Sequence, residues 1–220
     1  MKKLIGLFLI VGIIFFMAGC DGTENVVLNN MSDLRVNFFE GKNSNFYVNV
    51  SCGYREEVFA YDGVSTNPVE CGVITLGFFD DCSYSSVMVV LEVDGKNNEY
   101  VLERSPYENV YMEDIGYLIK SNSKVSVGLK NQQDKVLLEC VSLDWEVDYK
   151  KAVKIGTNYF KDQITELYFN NTLHAECYLK IVSKINFNNK YWYFSIVDMA
   201  NKNYSLLIDV NSGEIITNQK

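Results

Sequence analysis

The chain contains two prolines and only one histidine among 220 residues. Any mechanism that pairs a serine or cysteine nucleophile with histidine would therefore have to use His174. His174 ends a polar stretch, residues 170–174, which we interpret as a solvated loop between a helix and a strand. No G-x-S-x-G motif is present. The sequence thus gives no support for a nucleophilic active site.

Motifs for phosphates and metals are also missing. There is no glycine-rich phosphate loop, no C-x-x-C pair and no D-x-D-x-D-G calcium loop. We therefore expect no metal and no cofactor. Glycosidase chemistry needs two carboxylates across a cleft, and the adjacent acidic pairs read more simply as hydrated loop ends: Glu56-Glu57, Asp80-Asp81 and Glu113-Asp114.

Positive charge is scarce, with 20 Lys and Arg residues against 28 Asp and Glu residues. Without Lys2 and Lys3 the chain has 18 basic and 28 acidic residues, a formal charge of −10. Such a surface repels phosphate backbones and anionic headgroups, so we expect no nucleic-acid partner. The 48% hydrophobic content argues against disorder and supports a folded core.

The N-terminus carries the strongest signal in the chain. Lys2 and Lys3 precede an uncharged apolar run, residues 4–17, that is shorter than the roughly 20 residues of a membrane-spanning helix. Met17-Ala18-Gly19-Cys20 follows and resembles the lipobox of bacterial lipoproteins, with Met17 in place of the usual leucine. This resemblance implies cleavage before Cys20, lipidation of Cys20 and attachment to the extracytoplasmic face of the cell membrane. An ordinary cleaved signal peptide or an uncleaved anchor are the alternatives.

Setting Cys20 aside leaves an odd number of cysteines, so at most two disulfides can form and one thiol stays free. The first three lie close in sequence and could form one disulfide outside the cell, whereas we expect small buried thiols at the last two. The pairing stays open among Cys52, Cys71, Cys82, Cys140 and Cys177.

Residues 21–33 are polar and read as a tether, and residues 34–146 read as an antiparallel β-sandwich domain. From Phe46 onward about seven short strands follow one another, with Asp94-Gly95 marking a hairpin turn. Residues 113–119 fit either a short helix or a strand crossing. This spacing predicts a sandwich, with an Ig-like shape as one option.

The sequence pattern of residues 147–220 predicts an α+β module after the sandwich. Asp148 can cap a helix whose apolar stripe continues to Leu167. Alternating strands follow, which favours one helix packed on an antiparallel meander. The predicted fold class is therefore mainly β with an α+β part.

The turn near the C-terminus carries a second resemblance. Asp209-Val210-Asn211-Ser212-Gly213-Glu214 is similar to the D-x-x-T/S-G-E turn that ends PepSY-type domains and some NTF2- or cystatin-like modules. The similarity spans roughly residues 149–217. It implies a module that binds or restrains proteases and carries no catalytic residue.

A surplus of aromatic residues marks one strand, Tyr191-Trp192-Tyr193-Phe194. We expect Trp192 and Phe194 to face the helix, and Tyr191 and Tyr193 to point away from it. The two tyrosines would then form either a second packing surface against the sandwich or a surface for a ligand or partner, where tyrosine is favoured.

These observations predict a membrane-anchored, extracytoplasmic lipoprotein that binds or senses rather than catalyses, with a peptide or protease as its partner. Two alternatives remain open. One is a cell-envelope hydrolase with an acidic site between the two modules, and the other is a structural part of an envelope complex.

Overall fold

A computed structural model describes residues 21–57, 67–132, 134–183 and 189–216. The lipobox-like residues, Cys20 among them, lie outside the described residues. Three helices and fourteen strands lie within the described ranges: α1 (Asp21–Leu28), β1 (Met31–Lys42), β2 (Phe46–Glu56), β3 (Pro68–Phe78), β4 (Ser86–Val93), β5 (Lys96–Arg104), β6 (Tyr111–Ile115), β7 (Val125–Leu129), β8 (Lys135–Cys140), α2 (Tyr149–Tyr159), α3 (Lys161–Leu167), β9 (Tyr168–Phe169), β10 (Thr172–Leu173), β11 (Ala175–Ser183), β12 (Lys190–Asp198), β13 (Asn203–Asp209) and β14 (Ile215–Ile216).

Eight strands close into an antiparallel barrel in the order β1-β2-β3-β6-β5-β4-β7-β8. The ring closes where β8 pairs with β1, at Phe39 opposite Cys140 and Glu40 opposite Glu139. The predicted class, mainly β with antiparallel sheets, is confirmed. The expected sandwich is not what forms, because β1 bonds along both of its edges and joins the strands that would otherwise make two separate sheets.

Side chains fill the interior of the barrel. An eight-stranded barrel has an interior just wide enough to be packed by side chains. Aliphatic and aromatic residues from every strand meet there and are almost fully buried, among them Phe39, Phe46, Val50, Ile74, Leu76, Leu91, Leu102, Ile115, Val127 and Leu138. The barrel therefore owes its stability to a continuous apolar core.

The second part of the sheet extends from β1 through β11, β12, β13 and β14. β11 runs parallel to β1 over a short contact, from Met31 opposite Cys177 to Leu34 opposite Leu179. The remaining pairs are antiparallel. The eight barrel strands and the meander β11–β14 thus belong to one sheet of 12 strands, and β1 is the strand that connects the two parts.

Helix α2 packs against β12, and Trp192 and Phe194 are fully buried in the core that this contact creates. The expectation that these two rings face the helix is confirmed. Asp148 caps α2 as predicted, since its carboxylate accepts a hydrogen bond from the Lys151 N–H at 2.8 Å. The helix stops sooner than its stripe predicts, because Phe160 leaves helical geometry, and α3 begins at the next residue.

The segment expected to be a tether is folded instead. Residues 21–28 form α1, and the next strand begins at Met31. Val27 and Met31 are buried in the same core as Trp192. Only a few residues of this segment are apolar, and they are enough to hold it in the core. Its mostly polar composition therefore led to the wrong prediction of a tether.

Strand β1 itself was not expected from the sequence. Two irregularities interrupt its register, between Met31 and Asp33 against β11 and between Arg35 and Asn37 against β2. Each such irregularity shifts the alternation of side chains between the two faces. The period-2 pattern that identifies strands is therefore broken in β1.

One edge of β1 changes partner from β11 to β8 between Leu34 and Phe39. In this interval the N–H of Phe38 donates to the Ser142 hydroxyl at 3.0 Å. The Phe38 ring lies 5.9 Å from that of Trp145, which lies 5.2 Å from that of Trp192. This chain of three rings connects the barrel wall with the second core.

Gly156 marks the closest approach of α2 to the sheet, because a Cβ added there would lie 2.4 Å from the Phe194 ring. We expect Gly156→Ala to destabilise the protein by about 1–3 kcal/mol through overpacking, measured as a lower midpoint in urea. Gly116→Ala is the matched control, since nothing lies within 4 Å of its Cβ position. Equal stability of the two variants would show that α2 does not pack on Phe194 as described.

Candidate functional site

The candidate site is the side of the β11–β13 sheet that faces away from α2. We call it the tyrosine face and define it by Tyr178, Lys180, Tyr191 and Tyr193. Their positions follow from strand register: Lys180 lies opposite Tyr193, and Tyr191 lies two residues before Tyr193 in β12, on the same side. Tyr178, Tyr191 and Tyr193 are each half-buried. The structure thus brings the two predicted tyrosines together on one surface with a third.

Polar neighbours hold Tyr193 in place. The Asn203 Nδ2 donates to the Tyr193 hydroxyl at 3.2 Å, and the hydroxyl of buried Ser195 donates to the side-chain Oδ1 of Asn203 at 2.8 Å. Burial acts to raise the pKa of Tyr193, but hydrogen bonds with Asn203, Ser195 and Ser205 and the charge of Lys180 lower it, so the net pKa lies below that of an ordinary tyrosine.

Charged residues of β1 and β11 form the border between this face and the barrel. Asp33 and Arg35 pair through Arg35 Nε and Asp33 Oδ1 at 2.8 Å, and both side chains are nearly buried. Arg35 also donates to the Ser51 carbonyl oxygen at 3.2 Å. The Lys180 ammonium lies 3.6 Å from Asp33 and over the Tyr178 ring at 5.2 Å. Sequence reasoning missed this cluster because it depends on β1.

A second aromatic region lies in the loops at one end of the barrel. Phe79, Tyr84 and Tyr107 are exposed there, and Tyr107 is 93% exposed. Residues 104–109 line a shallow depression of about 440 Å³ beside them. A hydrogen bond connects the loop at residues 79–85 to the start of the loop at 105–110, because the Arg104 N–H donates to the Ser85 carbonyl oxygen at 3.0 Å.

The acidic pairs named from the sequence do not converge on one cleft. Glu56 and Asp80 lie near or beyond opposite ends of β3, since Glu56 pairs with Pro68 and Asp80 follows Phe78. Eleven residues of strand separate those ends by roughly 35 Å. Asp114 is occupied by an ion pair with Arg55 at 2.9 Å.

His174 is not the solvated loop residue that the sequence suggested. Its ring stacks on Phe169 with centroids 3.7 Å apart, across the small β9–β10 hairpin. Nε2 is buried and has no hydrogen-bond partner among the described residues. Asn170 and Asn171 form the hairpin turn with positive φ angles, which asparagine tolerates well.

The five cysteines among the described residues are free thiols, so no disulfide joins any two of Cys52, Cys71 and Cys82. Cys52 lies opposite Gly72, the neighbour of Cys71, so the side chains of Cys52 and Cys71 point to opposite faces of the sheet. Burial raises the pKa of the Cys52 thiol to about 12. Cys177 is buried as predicted, whereas Cys140 is partly accessible at the end of β8.

The Asp209 turn has the geometry that its sequence predicts. Gly213 has a φ of 72°, and Asp209 Oδ1 accepts hydrogen bonds from the N–H groups of Asn211 and Ser212, both at 2.9 Å. Burial acts to raise the pKa of Asp209, but these hydrogen bonds outweigh it and the pKa falls below the ordinary value.

Comparisons of the chain with known protein families, with curated proteins and with solved structures found no match. Within the described ranges, no group of three or more His, Cys, Asp and Glu side chains could hold a metal ion. No helix in the same ranges is long and apolar enough to cross a bilayer. The site must therefore be interpreted from its own residues.

The Asp33–Arg35 pair should be strongly coupled because it is nearly buried. We expect Arg35→Met to destabilise the protein by about 3 kcal/mol, since it leaves the Asp33 carboxylate with only Lys180. The double variant with Asp33→Asn should recover part of that loss in urea unfolding. The exposed pair Arg55–Asp114 is the control, where Arg55→Met should cost less than about 1 kcal/mol. Equal losses at the two arginines would contradict this interpretation.

Proposed function

We propose that this protein is a lipid-anchored, extracytoplasmic lipoprotein that binds a peptide or a protein segment, such as part of a protease, through the tyrosine face. The observation that carries the proposal is the grouping of Tyr178, Tyr191 and Tyr193 on one side of a sheet whose other side is closed by α2. Tyrosine is enriched where proteins bind their partners, because it combines a large ring with a polar hydroxyl.

The construction of this face favours binding. The opposite side of the same strands packs into a core that contains Trp192 and Phe194, so the strands that carry the tyrosines are held rigidly. Asn203 fixes the Tyr193 hydroxyl, and Lys180 adds a partly exposed positive charge beside the Tyr178 ring. A partner would therefore meet a preorganised surface with little loss of side-chain freedom.

The carboxyl groups support binding over hydrolysis as the better proposal. Glycosidase-type catalysis needs two carboxylates across one cleft. Glu56 and Asp80 instead lie at or beyond opposite ends of β3, and Asp114 pairs with Arg55 at 2.9 Å.

Two sequence features complete the proposal. The lipobox-like motif supplies the anchor at Cys20. The Asp209 turn supports a PepSY-like role for the C-terminal module, in which the partner is a peptide or a protease.

Two variants of the full chain test the two halves of the proposal. Cells grown with a palmitate analogue should label the wild type and Tyr191→Ala, but not Cys20→Ala. Peptides selected by the purified wild type from a random phage-displayed library should bind Tyr191→Ala about tenfold or more weakly, because a central interface tyrosine contributes more than 1 kcal/mol.

Tyr107→Ala is the matched control, since Tyr107 is a fully exposed tyrosine at the barrel end. It should retain both label and peptide binding. Label on Cys20→Ala would contradict the anchor. Failure to select any peptide, or equal weakening by Tyr191→Ala and Tyr107→Ala, would contradict the binding face.

A further inference from the structure

The start of the described chain lies close to the folded core. Asp21 is the first residue of α1, and Val27 in the same helix is fully buried. At 1.5 Å per residue, these two positions are about 9 Å apart along the helix axis. Cys20 is the covalent neighbour of Asp21. A 13-residue extended tether would instead have allowed roughly 45 Å between anchor and domain.

Helix α1 lies beside α2, because the two helices pack against each other and share one core. An acyl chain on Cys20 would enter the bilayer next to this pair. Helix α1 is only 8 residues long and is held in the core at Val27. A bilayer that holds an acyl chain on Cys20 must therefore lie close to the layer formed by α1 and α2. The helices therefore define the side of the molecule that an anchored chain turns toward the membrane.

The charge of α2 is opposite to that of the whole chain. Its sequence, YKKAVKIGTNY, contains three lysines and no acidic residue, although the full chain has a formal charge of −8. Lys150, Lys151 and Lys154 are all exposed. The acidic residues around α2 are Asp21 and half-buried Glu24 on α1, exposed Glu146, and Asp148, which accepts the capping hydrogen bond from the Lys151 N–H.

We propose that the exposed side of α2 lies on an anionic lipid bilayer, with Lys150, Lys151 and Lys154 against the headgroups. The inference rests on the lipid anchor proposed above. Basic side chains near an anionic surface contribute about 1 kcal/mol each, and a polybasic patch supplements acyl chains in membrane attachment.

This orientation directs the tyrosine face outward. Trp192 and Phe194 point toward the helical layer, and Tyr191 and Tyr193 occupy the opposite side of the same strand. When the helices lie on the bilayer, the sheet stands between the membrane and the tyrosines. The partner-binding surface then points into the extracytoplasmic space.

Lysine labelling of the full-length lipidated protein tests the proposal. The protein is reconstituted in vesicles of phosphatidylglycerol and phosphatidylcholine, in vesicles of phosphatidylcholine alone, and in detergent. A membrane-impermeant amine reagent and peptide mass spectrometry then measure each lysine. In the anionic vesicles we expect severalfold lower labelling of Lys150 and Lys154 than in detergent. Exposed Lys96 and Lys120 on the barrel should label equally in all three.

Charge-reversal variants supply the matched control. Lys150→Glu with Lys154→Glu should reduce the protection of Lys151 in anionic vesicles, whereas Lys96→Glu with Lys120→Glu should not change it. Equal labelling of helix and barrel lysines, or equal protection in phosphatidylcholine alone, overturns the proposal. Mass spectrometry of the N-terminal peptide separates the two failures. An acylated Cys20 without lysine protection refutes this seating alone, and an unmodified Cys20 refutes both the seating and the anchor.

Discussion

Strand β1 is the constraint on which the rest of the structure depends. One of its edges pairs with β2 from Asp33 to Lys42, and the other bonds β11 near Met31 and β8 near Phe39. The barrel cannot close without the second contact, and the C-terminal meander cannot join the sheet without the first. The ring contacts from Phe38 through Trp145 to Trp192 add apolar packing across the same junction.

This shared strand explains how the proposed surfaces are arranged. The meander inherits its orientation from β1, so α2 covers one side of it and the tyrosines occupy the other. Asp33 and Arg35 at the start of β1 then meet Lys180 at the border of the tyrosine face. Helix α1 leads into β1 within three residues, and it packs beside α2 on the helical side of the sheet. The helical core and the proposed binding face therefore lie on opposite sides of one sheet.

Local patterns in the sequence predicted what depends on local physics. The Asp148 cap, the burial of Trp192 and Phe194 and the Asp209 turn each follow from residues close together in the chain. The barrel closure depends instead on a long-range pairing of Phe39 with Cys140, which no local period reveals. Because the register of β1 is irregular, its sequence does not alternate between apolar and polar residues as a strand normally does. Without β1, the charged contacts around Asp33 could not be predicted either. Polar residues of α1 concealed the few apolar ones that fold it.

The central claim is that barrel and meander form one cooperative unit through β1. Amide hydrogen exchange under native conditions tests it most directly, because the slowest amides report the free energy of global opening. We expect the slowest amides of β2 and β3 in the barrel and of β11 and β12 in the meander to give the same opening free energy, falling in parallel when urea is added. Opening of β11 and β12 at a clearly lower free energy, with the barrel amides still protected, would contradict the account.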